Sequence, residues 1–160
     1  MASSSTVATP ATKRRPIVQG MRRATSIGMT ALTALCCDEA TVVLCSGLRD
    51  QGFDVSWLYL DDLRHGRVEP EVLVGDAPPD VLLYDLDEPV DESLLLLELF
   101  RSLPGMERVP VVLLRTTQTP LPPLDTPGVA AVLTRPCEAT LARTIIEAAL
   151  RGGRGLDEAA

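Results

Sequence analysis

Short apolar runs alternate along this chain with stretches in which apolar residues recur at helical spacing. Five of the runs are bounded by turn-forming residues and have the length of buried strands. They cover residues 30–36, 53–60, 80–86, 109–114 and 129–133. Strands that alternate with helices favour a parallel sheet with helices on its faces, and they argue against an all-α or all-β domain.

The first and last helices have recognisable ends in the sequence. Asp38 can cap a helix that stops at Gly52. The last helix is predicted from about residue 138 to 150, because Gly152 and Gly153 follow it.

A leucine-rich helix is predicted to begin after a cap at Asp91. Its core stripe at helical spacing consists of Leu96, Leu99, Phe100 and Leu103. Further leucines outside this stripe either widen the core face or form a patch for a partner. They are Leu94, Leu95 and Leu97.

Two crossovers lack a helical pattern. Residues 61–79 contain Gly66, Pro70 and Gly75, which predict an irregular connection. Between the fourth and fifth predicted strands, four prolines remove amide donors. They are Pro120, Pro122, Pro123 and Pro127. We expect the helix that a βα repeat would place between these strands, its fourth, to be lost or shortened.

Charge divides the chain into two parts. The net charge of the chain is -7. Residues 1–37 hold five basic residues and no acidic residue. The remaining residues hold 22 acidic and 10 basic residues, a net charge of -12. Residues 1–28 are rich in Ser, Thr, Ala and Pro and predict a disordered basic arm. A folded domain is expected over residues 29–151, followed by a flexible tail over 152–160.

Three interpretations of the basic arm stay open. The first is a solvated tail. This includes the case in which the sequence starts too early, because Met21 and Met29 could both be the initiating methionine. The second is a basic tail that binds an acidic protein, a membrane or a nucleic acid, although the absence of aromatic residues argues against nucleic acid. The third is an organelle transit peptide, which is also rich in Arg and Ser.

Composition limits the location and redox state of the protein. No apolar run approaches the roughly 20 residues of a membrane span. The four cysteines form no C-x-x-C pair and lie within apolar patterns, which predicts buried thiols in a reducing compartment. We therefore expect a cytoplasmic protein.

Asp85 has the strongest functional signal in the chain. It lies where the apolar run of the third predicted strand ends, and the carboxyl ends of such strands carry the sites of open α/β sheets. The alternative is an ordinary polar strand end.

Two sequence blocks resemble the receiver domains of response regulators. PDVLLYDLDEP, residues 79–89, resembles the strand that ends in the phosphoacceptor aspartate. GVAAVLTRPC, residues 128–137, resembles the final strand, in which a basic residue precedes proline, and VPVVLLRTT, residues 109–117, is a weaker match to the strand between them. The resemblance implies a CheY-like, flavodoxin-like three-layer sandwich with a five-stranded parallel sheet.

The resemblance also implies roles for individual residues. Asp85 would be the phosphoacceptor, and Arg135 stands where the family has lysine. The family's hydroxyl would be Thr116, or Arg115 would take its slot. A guanidinium is larger and less adjustable than an ammonium group, so the exchange alters a tight pocket. Lys13 is the only lysine against 14 arginines, so a general bias is the alternative explanation.

Magnesium binding in this family requires acids after the first strand. Asp38 and Glu39 fill these positions in one alignment, with the backbone carbonyl of Asp87 as a further ligand. Another alignment places Cys36 and Cys37 there, and thiols are poor magnesium ligands. We expect no cofactor, with Mg²⁺ as the alternative.

These departures favour a stand-alone, degenerate receiver, or pseudo-receiver, that is not an enzyme and acts through protein–protein interaction without phosphorylation. The alternative is an active two-component receiver that is phosphorylated on Asp85 in a phosphorelay. The expected partner is a histidine kinase, a phosphotransfer protein or a signalling scaffold, and the sequence also allows a homodimer. A small α/β enzyme or nucleotide-binding domain is a third interpretation, and it predicts a deep pocket near Asp85.

Overall fold

The computed structural model describes residues 28–73, 75, 77–119 and 126–158. The disorder predicted for the arm concerns residues that lie, apart from Gly28, outside this part of the chain. Pro120, Pro122 and Pro123, between the fourth and fifth predicted strands, also lie outside the described residues.

A parallel sheet of five strands forms the centre of the described chain. The strands are β1 (Ala31–Cys36), β2 (Asp54–Tyr59), β3 (Val81–Asp85), β4 (Val111–Thr116) and β5 (Val129–Arg135). Their order is β2-β1-β3-β4-β5, and every neighbouring pair is parallel. This is the doubly wound order of flavodoxin-like folds, so the predicted fold class is confirmed.

Within the described residues, four α-helices cover the two faces of the sheet. They are α1 (Glu39–Asp50), α2 (Leu60–Arg64), α3 (Val90–Arg101) and α4 (Ala139–Glu158). Side chains of α1 and α4 pack on one face, and those of α2 and α3 on the other. A 3₁₀ turn over Pro70–Leu73 lies in the crossover that was predicted to be irregular. None of the described helices is both long enough and apolar enough to cross a membrane.

Side chains of β3 point alternately into the two halves of the core. Val81 and Leu83 face α1 and α4, whereas Leu82 and Tyr84 face α2 and α3, and all four are fully buried. A strand covered on both faces needs apolar residues at every position, which explains the continuous apolar run in the sequence. Burial of one leucine contributes about 1.5–3 kcal/mol, so the central strands carry much of the stability.

The predicted core face of α3 is correct only in part: Phe100 is buried and Leu96 and Leu103 pack against the core, but Leu99 does not. Leu99, which was assigned to the core stripe, is 56% exposed, and Leu97, which was assigned outside it, is buried. Leu95 is 65% exposed. Leucines occupy adjacent positions on all sides of this helix, so spacing alone could not fix which of them face the sheet.

Two predicted helix ends are also wrong. α3 begins at Val90, no side chain caps it, and Asp91 lies in its first turn. α4 continues to Glu158, past Gly152 and Gly153. Each glycine costs a helix about 1 kcal/mol relative to alanine but keeps its amide, so glycine alone does not end a helix. The flexibility expected of this tail stays a prediction.

The carboxyl ends of the strands bring the candidate residues to one edge of the sheet. β1, β3, β4 and β5 end at Cys36, Asp85, Thr116 and Arg135. The crossover from β4 to β5 contains no helix in its described residues, 117–119 and 126–128. The site and the reduced crossover are therefore on neighbouring parts of the surface.

A methyl group at Gly47 would test the contact between α1 and α4. A Cβ atom there would lie 2.8 Å from the Cβ of Ala139, which is fixed to the backbone of α4. Alanine gains about 1 kcal/mol over glycine in a helix, but overpacking costs about 1–3 kcal/mol. We expect Gly47→Ala to lower the free energy of unfolding by about 1 kcal/mol, as measured by urea denaturation.

The matched control is Ser46→Ala on the exposed side of the same helix, for which we expect no loss of stability. A stabilised Gly47→Ala protein would show that the two helices are not in close contact.

Candidate functional site

Asp85 ends β3 with a fully buried side chain. Its Oδ2 accepts hydrogen bonds from the Thr41 hydroxyl at 2.6 Å and from the Cys37 amide at 2.9 Å. Its Oδ1 lies 3.4 Å from Nη2 of Arg135 and has no hydrogen-bond partner among the described residues. Burial raises the pKa of Asp85 because the charged form loses hydration, and the two hydrogen bonds act in the opposite direction.

The turn between β1 and α1 positions both hydrogen-bond donors. Asp38 caps α1 by accepting a hydrogen bond from the Thr41 amide at 3.2 Å, which confirms the predicted cap. The cap fixes the first turn of the helix, so the fully buried Thr41 side chain is held against the end of β3. Cys37, which precedes the cap, directs its amide to the same carboxylate oxygen.

Arg135, the last residue of β5, joins two carboxylates. Its Nη1 donates to both oxygens of Asp38, at 2.7 and 2.9 Å, and to the Thr41 hydroxyl oxygen at 3.2 Å. Its Nη2 faces Asp85. A planar guanidinium can serve several acceptors at once, whereas an ammonium group is a point charge. We call Asp38, Thr41, Asp85 and Arg135 the Asp85 network.

Exposure differs across the Asp85 network. The Asp38 side chain is 52% exposed and that of Arg135 only 14% exposed, while Asp85 lies completely below the surface. The hydrogen bond from Arg135 is the main cause that lowers the pKa of Asp38. Arg135 therefore places positive charge between an acid at the rim and an acid in the interior.

Two thiols lie beside Asp85 at the end of β1. The parallel register of β1 and β3 pairs Leu35 with Tyr84, the residues that precede Cys36 and Asp85, and Sγ of Cys37 donates to the Asp85 carbonyl at 3.3 Å. A hydrogen bond with Cys45, together with burial, raises the pKa of Cys36, and burial is the main cause that raises the pKa of Cys37. Both thiols are neutral at physiological pH, so β1 contributes no negative charge here.

Asp87 and Glu39 lie outside the Asp85 network. The Asp87 carboxylate forms an ion pair with Arg64 of α2 at 3.0 Å, and its amide donates to the Ser93 hydroxyl at 3.2 Å. Glu39 is an exposed residue in the first turn of α1. Of the three predicted metal ligands, only Asp38 is connected to Asp85 through a shared partner.

A cleft of about 350 Å³ opens at the carboxyl edge of the sheet. Its lining includes Cys37, Asp38, Asp87, Thr116 and Arg135. Thr116 therefore lines the cleft, and its hydroxyl oxygen lies 2.8 Å from the hydroxyl oxygen of Thr119. Arg115 instead donates to the Thr119 carbonyl at 2.9 Å, because successive side chains of a strand point to opposite faces.

Magnesium requires hard oxygen ligands in octahedral geometry, and the carboxylates beside Asp85 are engaged by arginines. Both oxygens of Asp38 accept from Arg135, and the Asp87 carboxylate is paired with Arg64. The predicted ligand at Asp87 is its backbone carbonyl, which this ion pair does not involve. In the part of the chain that the structure describes, no three His, Cys, Asp or Glu side chains form a group that could hold a metal ion. The ligand set of Asp38, Glu39 and Asp87 stays a prediction.

Solved structures of receiver domains share this fold. A CheY-like response regulator receiver domain from Methylobacillus flagellatus has a TM-score of 0.55 and 18% sequence identity, and the match covers 76% of this chain and 98% of that chain. The chemotaxis response regulator CheY4 of Vibrio cholerae has a TM-score of 0.56 and 17% identity, with the same coverage of 76% and 98%.

A putative response regulator from Chloroflexus aurantiacus has a TM-score of 0.56 and 18% identity, and the match covers 77% of this chain and 98% of that chain. No protein-family model and no curated protein matches the sequence. The chain therefore has the fold of receiver domains, which confirms the resemblance at the level of fold.

Thr41 and Arg64 are contact residues that the sequence analysis did not find. Thr41 occupies a core position of α1 together with Leu44, Cys45 and Leu48, so a polar residue in a buried helical stripe was the available signal. Arg64 ends the short helix α2, where the sequence predicted no regular structure. No local sequence motif at Thr41 or Arg64 indicates which residue its side chain contacts.

Substitution of Thr41 would measure what its hydroxyl contributes. Thr41→Val keeps the shape of the side chain but leaves Oδ2 of the buried Asp85 with one donor fewer. We expect a loss of about 1.5–3 kcal/mol in the free energy of unfolding, the range for hydrogen bonds to charged groups. Urea denaturation provides the measurement.

Thr41→Ser serves as the control, because it keeps the hydroxyl and removes only a methyl group. It should cost about 1 kcal/mol. Equal losses for the valine and serine variants would show that packing, not the hydrogen bond to Asp85, makes Thr41 important.

Proposed function

We propose that this protein is a receiver-like signalling module that acts through protein–protein interaction without phosphorylation of Asp85. The observation that carries the proposal is the position of Arg135, 2.7 Å from Asp38 and 3.4 Å from Asp85. A side chain of the protein thus supplies the positive charge that a bound cation would otherwise bring to the buried carboxylate. The site would hold one arrangement that depends on neither metal nor phosphate.

The cost of rearranging the Asp85 network supports this function. Phosphorylation of Asp85 would require loss of the Thr41 hydrogen bond or of the Arg135 contact, because these groups face the two carboxylate oxygens. Any such loss leaves a buried polar group with fewer partners, which adds to the cost of the modification. The added phosphoryl charge would also need a cation, and the neutral thiols of Cys36 and Cys37 are poor ligands for magnesium.

One observation favours the alternative function, phosphorylation of Asp85 in a phosphorelay. Oδ1 of Asp85 has no hydrogen-bond partner among the described residues, so this oxygen could act as the nucleophile if a rearrangement exposed it to a phosphoryl donor. The two functions share one fold and differ only in the chemistry of this carboxylate.

The likeness in fold to receiver domains supports a protein partner, since receiver domains generally act by contact with other proteins. The candidates are a histidine kinase, a phosphotransfer protein or a signalling scaffold, with a homodimer as a further assembly. The four cysteines are free thiols, and a reducing cytoplasm would keep them so.

Treatment with acetyl phosphate tests the proposal directly. We expect the intact mass of the protein to stay unchanged after incubation with acetyl phosphate and excess magnesium. A receiver domain known to accept phosphate in the same reaction is the positive control. Added mass that disappears in Asp85→Asn would overturn the proposal and establish the phosphorelay function.

A paired substitution tests whether Cys37 and Arg135 prevent magnesium binding. Cys37→Asp adds an oxygen ligand at the cleft, and Arg135→Lys removes the planar group that contacts both oxygens of Asp38. We expect the thermal midpoint of the double variant, but not of the natural sequence, to rise on addition of MgCl₂, because a ligand that binds only the folded state stabilises it.

The matched control combines Cys137→Asp with Arg143→Lys, the same two exchanges away from the cleft, and it should not respond to the ion. A magnesium response of the natural sequence itself would contradict the proposal that the Asp85 network replaces the cation.

A further inference from the structure

A groove of about 470 Å³ runs along α3, away from the Asp85 network. Its lining includes Asp91, Leu94, Leu95, Glu98, Arg101 and Pro127. We call this surface the α3 groove. Leu95 within it is 65% exposed, and Leu99 on the same helix is 56% exposed. Two exposed leucines one helical turn apart next to a groove are typical of a docking surface.

The charged residues of the α3 groove are not equivalent. Arg101 directs its guanidinium at two backbone carbonyls, those of Pro127 and Glu107. Asp91 and Glu98 are exposed, and Glu92 adds a third acid to the same helix. The groove therefore offers apolar contact with acidic residues along one side, and a ligand that fits it combines apolar and basic residues.

The segment from residue 13 to 27 has this composition. It contains Lys13, Arg14, Arg15, Arg22 and Arg23 and no acid. Between the two basic clusters it has apolar side chains at Ile17, Val18 and Met21. In contrast, the chain after Cys37 has a net charge of -12, so this segment lies in the part of the chain whose net charge is positive.

The start of the described chain lies within easy reach of the groove. Gly28 precedes β1 at the amino edge of the sheet, and Pro127 precedes β5 at that same edge. The sheet order separates β1 from β5 by three strand spacings, roughly 14 Å at about 4.8 Å each. Five extended residues span about 17 Å, so residues N-terminal to Arg23 can already lie beside α3.

We propose that residues 13–27 dock in the α3 groove of the same chain. Ile17, Val18 and Met21 would cover the exposed leucines, and the arginines that follow would face Asp91 and Glu98. Exposed ion pairs are individually weak, but a tethered segment has an effective concentration in the millimolar range, so a contact of modest affinity suffices. The arm then covers its own docking surface until a competing partner displaces it. This inference does not depend on whether Asp85 is phosphorylated.

Limited trypsin digestion of the full-length protein tests the docking. Trypsin cuts after Arg22 and Arg23, and a docked segment is cut more slowly than a free one. We expect trypsin to cleave the bonds after Arg22 and Arg23 several-fold faster in the double variant Leu95→Gln/Glu98→Gln than in the natural sequence. Mass spectrometry of the released arm fragments at early times gives the rates, and neither exchange creates a new cleavage site.

The matched control is Leu141→Gln/Glu147→Gln, which makes the same two exchanges on the exposed face of α4. It should be cut at the rate of the natural sequence. Glu98→Gln alone should give an intermediate rate, and this mildest variant keeps the test valid if the double variant is unstable.

Light scattering of the same samples distinguishes the occupants of the groove. A monomer whose protection does not change with protein concentration supports docking within one chain. A dimer whose protection rises with concentration would assign the groove to a second copy and overturn the proposal. Equal cleavage rates in all four proteins would also overturn it, because the arm would then be free and the groove open or filled by residues 120–125.

Discussion

A carboxylate buried at the end of a parallel strand is the constraint on which the rest of this site depends. Asp85 has no exposed surface, and an isolated charge in such a place is far more costly than any single hydrogen bond can offset. The protein compensates from three directions, with an amide from Cys37, a hydroxyl from Thr41 and a guanidinium from Arg135. These groups come from the β1–α1 turn, the first turn of α1 and the end of β5, so the charge ties separate parts of the sheet edge together.

Arginine, not lysine, makes this arrangement self-sufficient. The guanidinium of Arg135 reaches both oxygens of Asp38 through Nη1 while Nη2 faces Asp85. An ammonium group at the same position would offer one compact charge, and it could not be shared between two acids in fixed geometry. The thiols of Cys36 and Cys37 at the end of β1 act in the same direction, since neutral thiols need no cation to offset them. Arg135 and the neutral thiols thus both limit the negative charge beside Asp85.

The strands could be predicted because buried parallel strands are continuous apolar runs, and the position of Asp85 followed from the end of one such run. The flavodoxin-like fold class was implied only by the resemblance to receiver domains. The Asp38 cap was likewise visible, because capping is a local interaction between neighbouring residues. Thr41 and Arg64 were not found because their partners are distant in sequence, and no local pattern records such contacts. The orientation of α3 could not be predicted because a helix with leucines on all sides has no unique apolar face. The end of α4 was predicted too early because Gly152 and Gly153 were expected to stop the helix. Each glycine makes a helix less stable by only about 1 kcal/mol.

The site and the α3 groove are connected by the first turn of α3. Ser93 is fully buried there; its hydroxyl accepts from the Asp87 amide, and its carbonyl accepts from the Tyr84 hydroxyl at 2.6 Å. These hydrogen bonds connect the turn after β3 to the start of α3, the helix that also carries Leu95 and Glu98. A rearrangement of the residues that follow Asp85 would therefore have to move or break contacts with α3. A ligand in the α3 groove that holds the helix in place would favour the present arrangement of that turn. If a ligand in the α3 groove and a change at Asp85 are coupled through these bonds, each affects the other by the same free energy.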